Sequence, residues 1–222
     1  MAFGLEGRHV VITGGAGALG QAVVRAFAGA GAVCHLPIRG RAELPAGAVV
    51  NLVPGVDLAD EQAVVSFFAG RPPLWASVHL AGGFRAARIA ETSRADLDRQ
   101  LDTNLVTTFL CCREAVIALR VSGGGRIVNV GSRASEAPGG GAVAYAAAKA
   151  GVAALTRSLA EEVRADRIQV NAVLPSIIDT PANRAAMPGA AVEAWVQPDD
   201  LARIILWLAS PGNAITGALI PV

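Results

Sequence analysis

Lysine, tyrosine and methionine are nearly missing from this chain of 222 residues, which has one, one and two of them. Charged residues make up 17%, against about 25% in an average globular chain. Cys34, Cys111 and Cys112 form no Cys-x-x-Cys pair and have no histidine at ligand spacing, which excludes a zinc site; an odd count also suits no disulfide framework. They read as small buried hydrophobes in a reducing compartment, the cytoplasm. Long apolar runs are lacking too. Mean hydropathy is +0.46, yet Arg, Asp or Glu interrupts every apolar-rich stretch approaching the roughly 20 residues that a spanning helix needs. Glu6, Arg8 and an early glycine-rich turn do not make the zones of a signal peptide. Neither charge dominates: 19 basic against 18 acidic side chains give +1. With no block of either sign, nucleic acid and anionic membranes are poor partners.

What the chain has in quantity is apolar residues, at 53%, enough for one large core and too many for disorder. Short apolar runs alternate with helical patterns. Strands are expected at His9–Thr13, Ala32–Pro37, Ala48–Val53, Trp75–Ala81, Arg126–Gly131, Ile168–Leu174 and Ala218–Val222. Helices are expected at Ala18–Ala30, Asp60–Ala69, Ser93–Arg120, Val143–Arg164 and Pro198–Ala209. The strand runs are Val/Ile-rich without strict alternation, as suits strands buried on both faces. The expected fold is α/β: a single Rossmann-type, doubly wound parallel sheet of about seven strands with helices on both faces. No linker divides it.

The first strand ends in Thr13-Gly14-Gly15-Ala16-Gly17-Ala18-Leu19-Gly20 and runs directly into a helix. Glycines there let backbone N–H groups approach a pyrophosphate at the positive end of the helix. The absence of a following Gly-Lys-Ser/Thr excludes a nucleotide triphosphate loop. The sharper signal is Tyr145 and Lys149. The only lysine, beside eighteen arginines, stands four residues after the only tyrosine, on one helix face. A nearby cation favours the phenolate of a group whose free pKa is about 10, turning a poor acid/base into a useful one. Ser132, just past the carboxyl end of a strand, lies where ligands of such sheets bind. His9, His35 and His79 fall in strands and read as buried structural side chains. Met187 and Trp195 either line a pocket or pack its cover.

Together these segments resemble the short-chain dehydrogenase/reductase superfamily along nearly the whole chain. Thr13–Gly20 is similar to its Thr-Gly-x3-Gly-x-Gly turn, with Ala18 for the middle glycine. Ala81-Gly82-Gly83 is similar to its Asn-Asn-Ala-Gly segment, with Leu80 where an asparagine is usual. Asn104 matches its helix asparagine, and Ser132, Tyr145 and Lys149 match its Ser and Tyr-x3-Lys. Pro175-Ser176-Ile177-Ile178-Asp179-Thr180 is similar to its Pro-Gly-x-Ile-x-Thr segment. Residues 174–188, with the two glycine segments, more loosely resemble dihydropteridine reductases and their bacterial relatives.

The resemblance implies hydride transfer between a nicotinamide and a small carbonyl or alcohol. Tyr145 would exchange the proton, Ser132 would orient the substrate oxygen, and Lys149 would bind the nicotinamide ribose and lower the Tyr145 pKa. Asn104 would hold a relay water, and no metal is needed. Cofactor contacts are expected from Gly14, Gly17, Leu19, Gly20, Arg39, Asp57, Leu58, Ala81, Gly82, Gly83, Tyr145, Lys149, Pro175, Ile178 and Thr180. Asp57 has the alternative of capping the next turn. A short substrate lid is expected at about 181–198. Ile38 stands where an acid would select NAD, with Arg39 next and Arg41 two further on, before the first acid at Glu43. NADP(H) is therefore expected, with NAD(H) as the alternative. A homodimer or homotetramer is implied through the helix of Tyr145 and the long helix before it. The other readings are a catalytically idle NADP(H) redox sensor and a pterin reductase.

Overall fold

The computed structural model describes residues 3–40 and 50–222. The expected positions Arg41 and Glu43, and the first two residues of the expected strand at Ala48, lie outside them. Seven strands form one wholly parallel sheet: β1 (His9–Thr13), β2 (Val33–Ile38), β3 (Val50–Pro54), β4 (Leu74–His79), β5 (Gly125–Val130), β6 (Ile168–Leu174) and β7 (Leu219–Pro221). The order β3-β2-β1-β4-β5-β6-β7 reverses direction between β1 and β4. At that reversal the connections leave toward opposite faces and a crevice opens outside the strand ends.

Successive residues of one strand feed two cores, which explains the lack of apolar alternation. Val10 and Ile12 of β1 and Val128 of β5 pack with α1 (Ala18–Gly29) and α7 (Pro198–Ala209). Val11 and Ile127 pack on the other face with α2 (Glu61–Ala69) and α4 (Thr107–Val121). Asp60 caps α2 by accepting from the Ala63 N–H at 2.8 Å. Ser93 caps α3 (Arg94–Leu101) in a reciprocal box with Asp96. α5 (Val143–Glu162) ends two residues short of its expected boundary, and α6 (Pro181–Ala186) is an additional short helix.

One element departs from expectation. The pattern Ser93–Arg120 is not a continuous α-helix, because Asp102–Val106 forms a π-helical turn between α3 and α4. Such single-turn π-bulges interrupt α-helices and are frequent at functional sites. Its product is Asn104, fully buried and turned onto the neighbouring loop.

The second core contains a polar chain. Asn129 Nδ2 donates to Thr156 Oγ1 at 3.0 Å, which donates to the Val152 carbonyl at 2.8 Å. Asn129 Oδ1 is left as acceptor for His79 Nδ1 at 2.8 Å, and Ser77 Oγ meets His79 Nε2 at 2.8 Å. Burial pushes His79 down to about 4, so it is the neutral tautomer that links β4, β5 and α5. His35 is likewise held near 4, by burial first and then by Arg71 and His9. His9 is half-buried and meets His35 at 2.9 Å, so two histidines distant in sequence are neighbours. Among the described residues no helix is long and apolar enough to cross a membrane.

Candidate active site

The carboxyl ends of the central strands open into a cleft of about 910 Å³. Its floor begins at the turn between β1 and α1. Gly14 has φ +66°, and an added Cβ would stand 2.8 Å from the Ala81 nitrogen. A Cβ on Gly20 would come within 2.1 Å of the Gly14 carbonyl oxygen. Both glycines are therefore required by close backbone approach. Gly17 is the N-cap of α1, offers no side-chain oxygen, and no acid occupies the first turn. The first N–H groups of this twelve-residue helix consequently face the cleft without a side-chain acceptor. A pyrophosphate fits this cradle, since it needs donors and close backbone approach.

The other wall carries the expected proton-transfer residues. Ser132 follows β5 and caps a short turn, with Oγ accepting from the Ala134 N–H at 3.2 Å. Tyr145 and Lys149 lie one turn apart on α5, with the ammonium 5.9 Å from the phenol ring centroid. Lys149 is buried and donates to the Val130 carbonyl at 2.8 Å. Burial brings its pKa down to about 8. Burial pushes the Tyr145 phenol above its ordinary value, and hydrogen bonding with Ser132 pulls it partly back. The expected lowering by Lys149 is not among the causes of this shift, and the Lys149 ammonium donates to the Val130 carbonyl.

Asn104 ties this wall to the β4 loop. Its Nδ2 donates to the Gly83 carbonyl at 2.9 Å and to Gln100 O at 3.1 Å, while Oδ1 accepts from the Gly83 N–H at 3.2 Å. A Cβ on Gly82 would stand 2.8 Å from Asn104 Oδ1 and 3.4 Å from Lys149 Nζ, so only glycine passes between them.

Of the expected site residues, Gly14, Gly17, Leu19, Gly20, Arg39, Leu58, Ala81, Gly82, Gly83, Asn104, Ser132, Tyr145, Lys149, Pro175, Ile178 and Thr180 all line this cleft. Asp57 does not: its Oδ1 accepts from the Ala59 N–H at 3.1 Å and lies 3.6 Å from Arg39. Met187 lines the cleft, whereas Trp195 is buried outside it. The segment after Thr180 is anchored at both ends by Asp179. Its carboxylate accepts from Arg184 Nε at 2.6 Å and Nη2 at 2.7 Å, and from Gln197 Nε2 at 3.1 Å. These contacts hold the Asp179 pKa at about 2.

Among the lining residues that sequence reasoning did not name as site residues, two stand beside the proton-transfer groups. Phe84 meets the Tyr145 ring edge-on at 4.9 Å, and Arg133 directly follows Ser132. Adjacency to two quoted motifs was the available signal for both.

Residues 8–190 match the family described as short chain dehydrogenase. The chain is 29% identical to D-xylose 1-dehydrogenase of Caulobacter vibrioides, over 93% of this chain and 90% of that one. A solved oxidoreductase of the short chain dehydrogenase/reductase family from Burkholderia thailandensis is 34% identical, with TM-score 0.88, covering 97% of this chain and 91% of that one. A 3-oxoacyl (acyl-carrier-protein) reductase from Agrobacterium tumefaciens C58, solved with NADP bound, is 26% identical with TM-score 0.88, covering 100% and 95%.

Proposed function

The chain belongs to the short-chain dehydrogenase family and is an NAD(P)-dependent oxidoreductase; from that premise we propose an NADP(H)-dependent enzyme interconverting a small carbonyl compound and its alcohol. The observation that carries the proposal is the only lysine, buried beneath the only tyrosine, beside Ser132 and a glycine cradle in one cleft. When bound, the nicotinamide would supply a hydride, one proton with two electrons, for the carbonyl carbon.

In the reductive direction, Tyr145 gives its hydroxyl proton to the carbonyl oxygen as the alcohol forms. A positioned acid of this kind contributes about 10²–10⁴-fold. Ser132 donates to the same oxygen and orients it. The Lys149 ammonium has one proton engaged with Val130, leaving others for the nicotinamide ribose and for stabilising the phenolate. Asn104 holds Gly83 in place and, with Lys149, holds the water through which Tyr145 regains its proton. The glycines of the first turn, with Leu19, receive the pyrophosphate and the groups beside it. Leu58 and Ala81 border the adenosine, and Pro175, Ile178 and Thr180 border the nicotinamide. Asp57 contributes only through Arg39.

Arg39 supports NADP over NAD. It follows Ile38 at the end of β2 and lines the cleft. Its contact with Asp57 is exposed and 3.6 Å long, weak enough to yield to a 2′-phosphate. We further assign residues 181–198 as the substrate lid of a single domain. The proposed setting is the cytoplasm, in keeping with three free, buried thiols.

The test is kcat/KM for NADPH and NADH across a carbonyl panel, in wild type and Arg39→Ala. NADPH should be preferred, and the ratio should fall about tenfold or more in the variant, the equivalent of one charge-assisted contact. Preference for NADH, or an unchanged ratio, contradicts the assignment. NADPH binding without turnover of any carbonyl would leave the redox sensor instead.

A further inference from the structure

Among the described residues, the cleft is lined by three basic side chains, Arg39, Lys149 and Arg133, and by no Asp or Glu. The proposed function employs the first two and leaves Arg133 without a task. Several arginines pair with carboxylates, as in Arg25 with Asp199, Arg113 with Glu61 and Arg184 with Asp179, whereas among the described residues Arg8, Arg71, Arg88, Arg126 and Arg167 do not, and none of those five lines the cleft. Arg133 is exposed and, among the described residues, enters no ion pair.

Its backbone is nevertheless well fixed. The Arg133 N–H donates to the Pro175 carbonyl at 3.1 Å, and its own carbonyl accepts from Glu136 and Ala137 at 3.1 and 2.9 Å. The guanidinium is thus rooted one residue from the Ser132 hydroxyl, on a turn tied to the loop after β6. The same part of the lining carries apolar side chains beside Ser132, Thr180 and Asn183. Phe84 is 66% exposed while touching Tyr145, and Ile177 and Met187 line the same space. Apolar side chains grouped in a cleft with a few polar groups are the lining of a small-molecule site. A guanidinium that meets no acceptor among the described residues suits the planar, two-pronged geometry of a carboxylate.

We propose that Arg133 is a specificity-determining residue and that the substrate is an oxo acid: a ketone or aldehyde on an apolar body whose carboxylate pairs with Arg133. The inference rests on the proposed carbonyl-reductase activity and names the substrate class of that site. Reduction leaves the carboxylate untouched, so the product is the corresponding hydroxy acid.

The experiment uses matched pairs of phenyl-substituted 2-, 3- and 4-oxo acids and their methyl esters, with NADPH, in wild type and Arg133→Gln. In wild type, at least one acid should exceed its ester in kcat/KM by about tenfold or more, mainly through KM, and in Arg133→Gln that ratio should collapse toward one. A binding arm needs no turnover: 4-phenylbutanoate and its amide are titrated into the NADP-loaded protein by calorimetry. The acid should bind at least about tenfold tighter, and the difference should vanish in the variant. Esters reduced as well as their acids throughout, or an acid preference that survives Arg133→Gln, overturn the proposal while leaving the reductase standing. If no compound turns over, the reductase reading fails separately and the binding arm decides the anion site: equal affinity for acid and amide overturns it.

Discussion

Lys149 is the residue on which the chemistry turns, and the fold holds its charge at a cost. An ammonium buried against Val130 and the Tyr145 ring sits near 8, against an ordinary value of 10.5. Between those values the unfolded chain keeps a proton that the folded chain has released. This site therefore makes stability rise with pH across that window, and below about 8 the cost is fully present. Urea midpoints at pH 8, 9 and 10 for wild type and Lys149→Met should converge or diverge with pH by this amount, the wild type gaining on the variant. Parallel curves would mean that the ammonium is not desolvated. Tyr145 and Lys149 were legible in the sequence because each is the only one of its kind and their spacing implies one helix face. The direction of the Tyr145 shift was not, because desolvation depends on what covers the ring, and Phe84 does so from a distant loop.

At the scale of elements, the loops that follow the strands, the irregular helix around Asn104 and the start of α5 build the cleft. The turn between β1 and α1 was readable because glycine spacing and a strand-to-helix transition are both local. Its tightness yields a prediction: Gly20→Ala places a methyl 2.1 Å from the Gly14 oxygen and 2.6 Å from the Gly15 backbone, which must move. A destabilisation of about 1–3 kcal/mol follows, or very roughly 2–12 °C in Tm for a chain of this size, with loss of NADPH binding. Calorimetry and cofactor titration check it; a variant that keeps both wild-type Tm and affinity refutes the cradle. The π-helical turn at Asn104 escaped sequence reading because the whole stretch was read as one continuous helical pattern and π-turns are rare. The His79–Asn129–Thr156 chain also escaped, since it pairs residues from two strands and a helix. Of the three histidines expected to be buried, His35 and His79 are buried and neutral, while His9 is half-buried against His35.

For the whole molecule, the parallel sheet was legible from alternation alone, since strands buried on two faces and helices between them leave few other arrangements. Assembly is a surface property and was expected only by resemblance. The faces concerned do carry apolar side chains: Phe109, Ile117 and Val121 of α4 are 50%, 53% and 84% exposed. We therefore expect α4 and α5 to pair copies of the chain, so that sedimentation gives a dimer or tetramer at micromolar concentration and Phe109→Asp with Ile117→Asp shifts it toward monomer. A wild-type monomer would contradict this. The central claim, that the cleft moves a hydride while Tyr145 moves the proton, is tested most directly by isotope transfer. The enzyme is given NADPH deuterated at either face of nicotinamide C4 and a carbonyl from the panel, and the alcohol is analysed by mass spectrometry. The account predicts one carbon-bound deuterium from one of the two labelled cofactors, and a rate lowered about 10²–10⁴-fold in Tyr145→Phe while NADPH still binds. Alcohol without deuterium from either cofactor, or a Tyr145→Phe rate close to wild type, would contradict it.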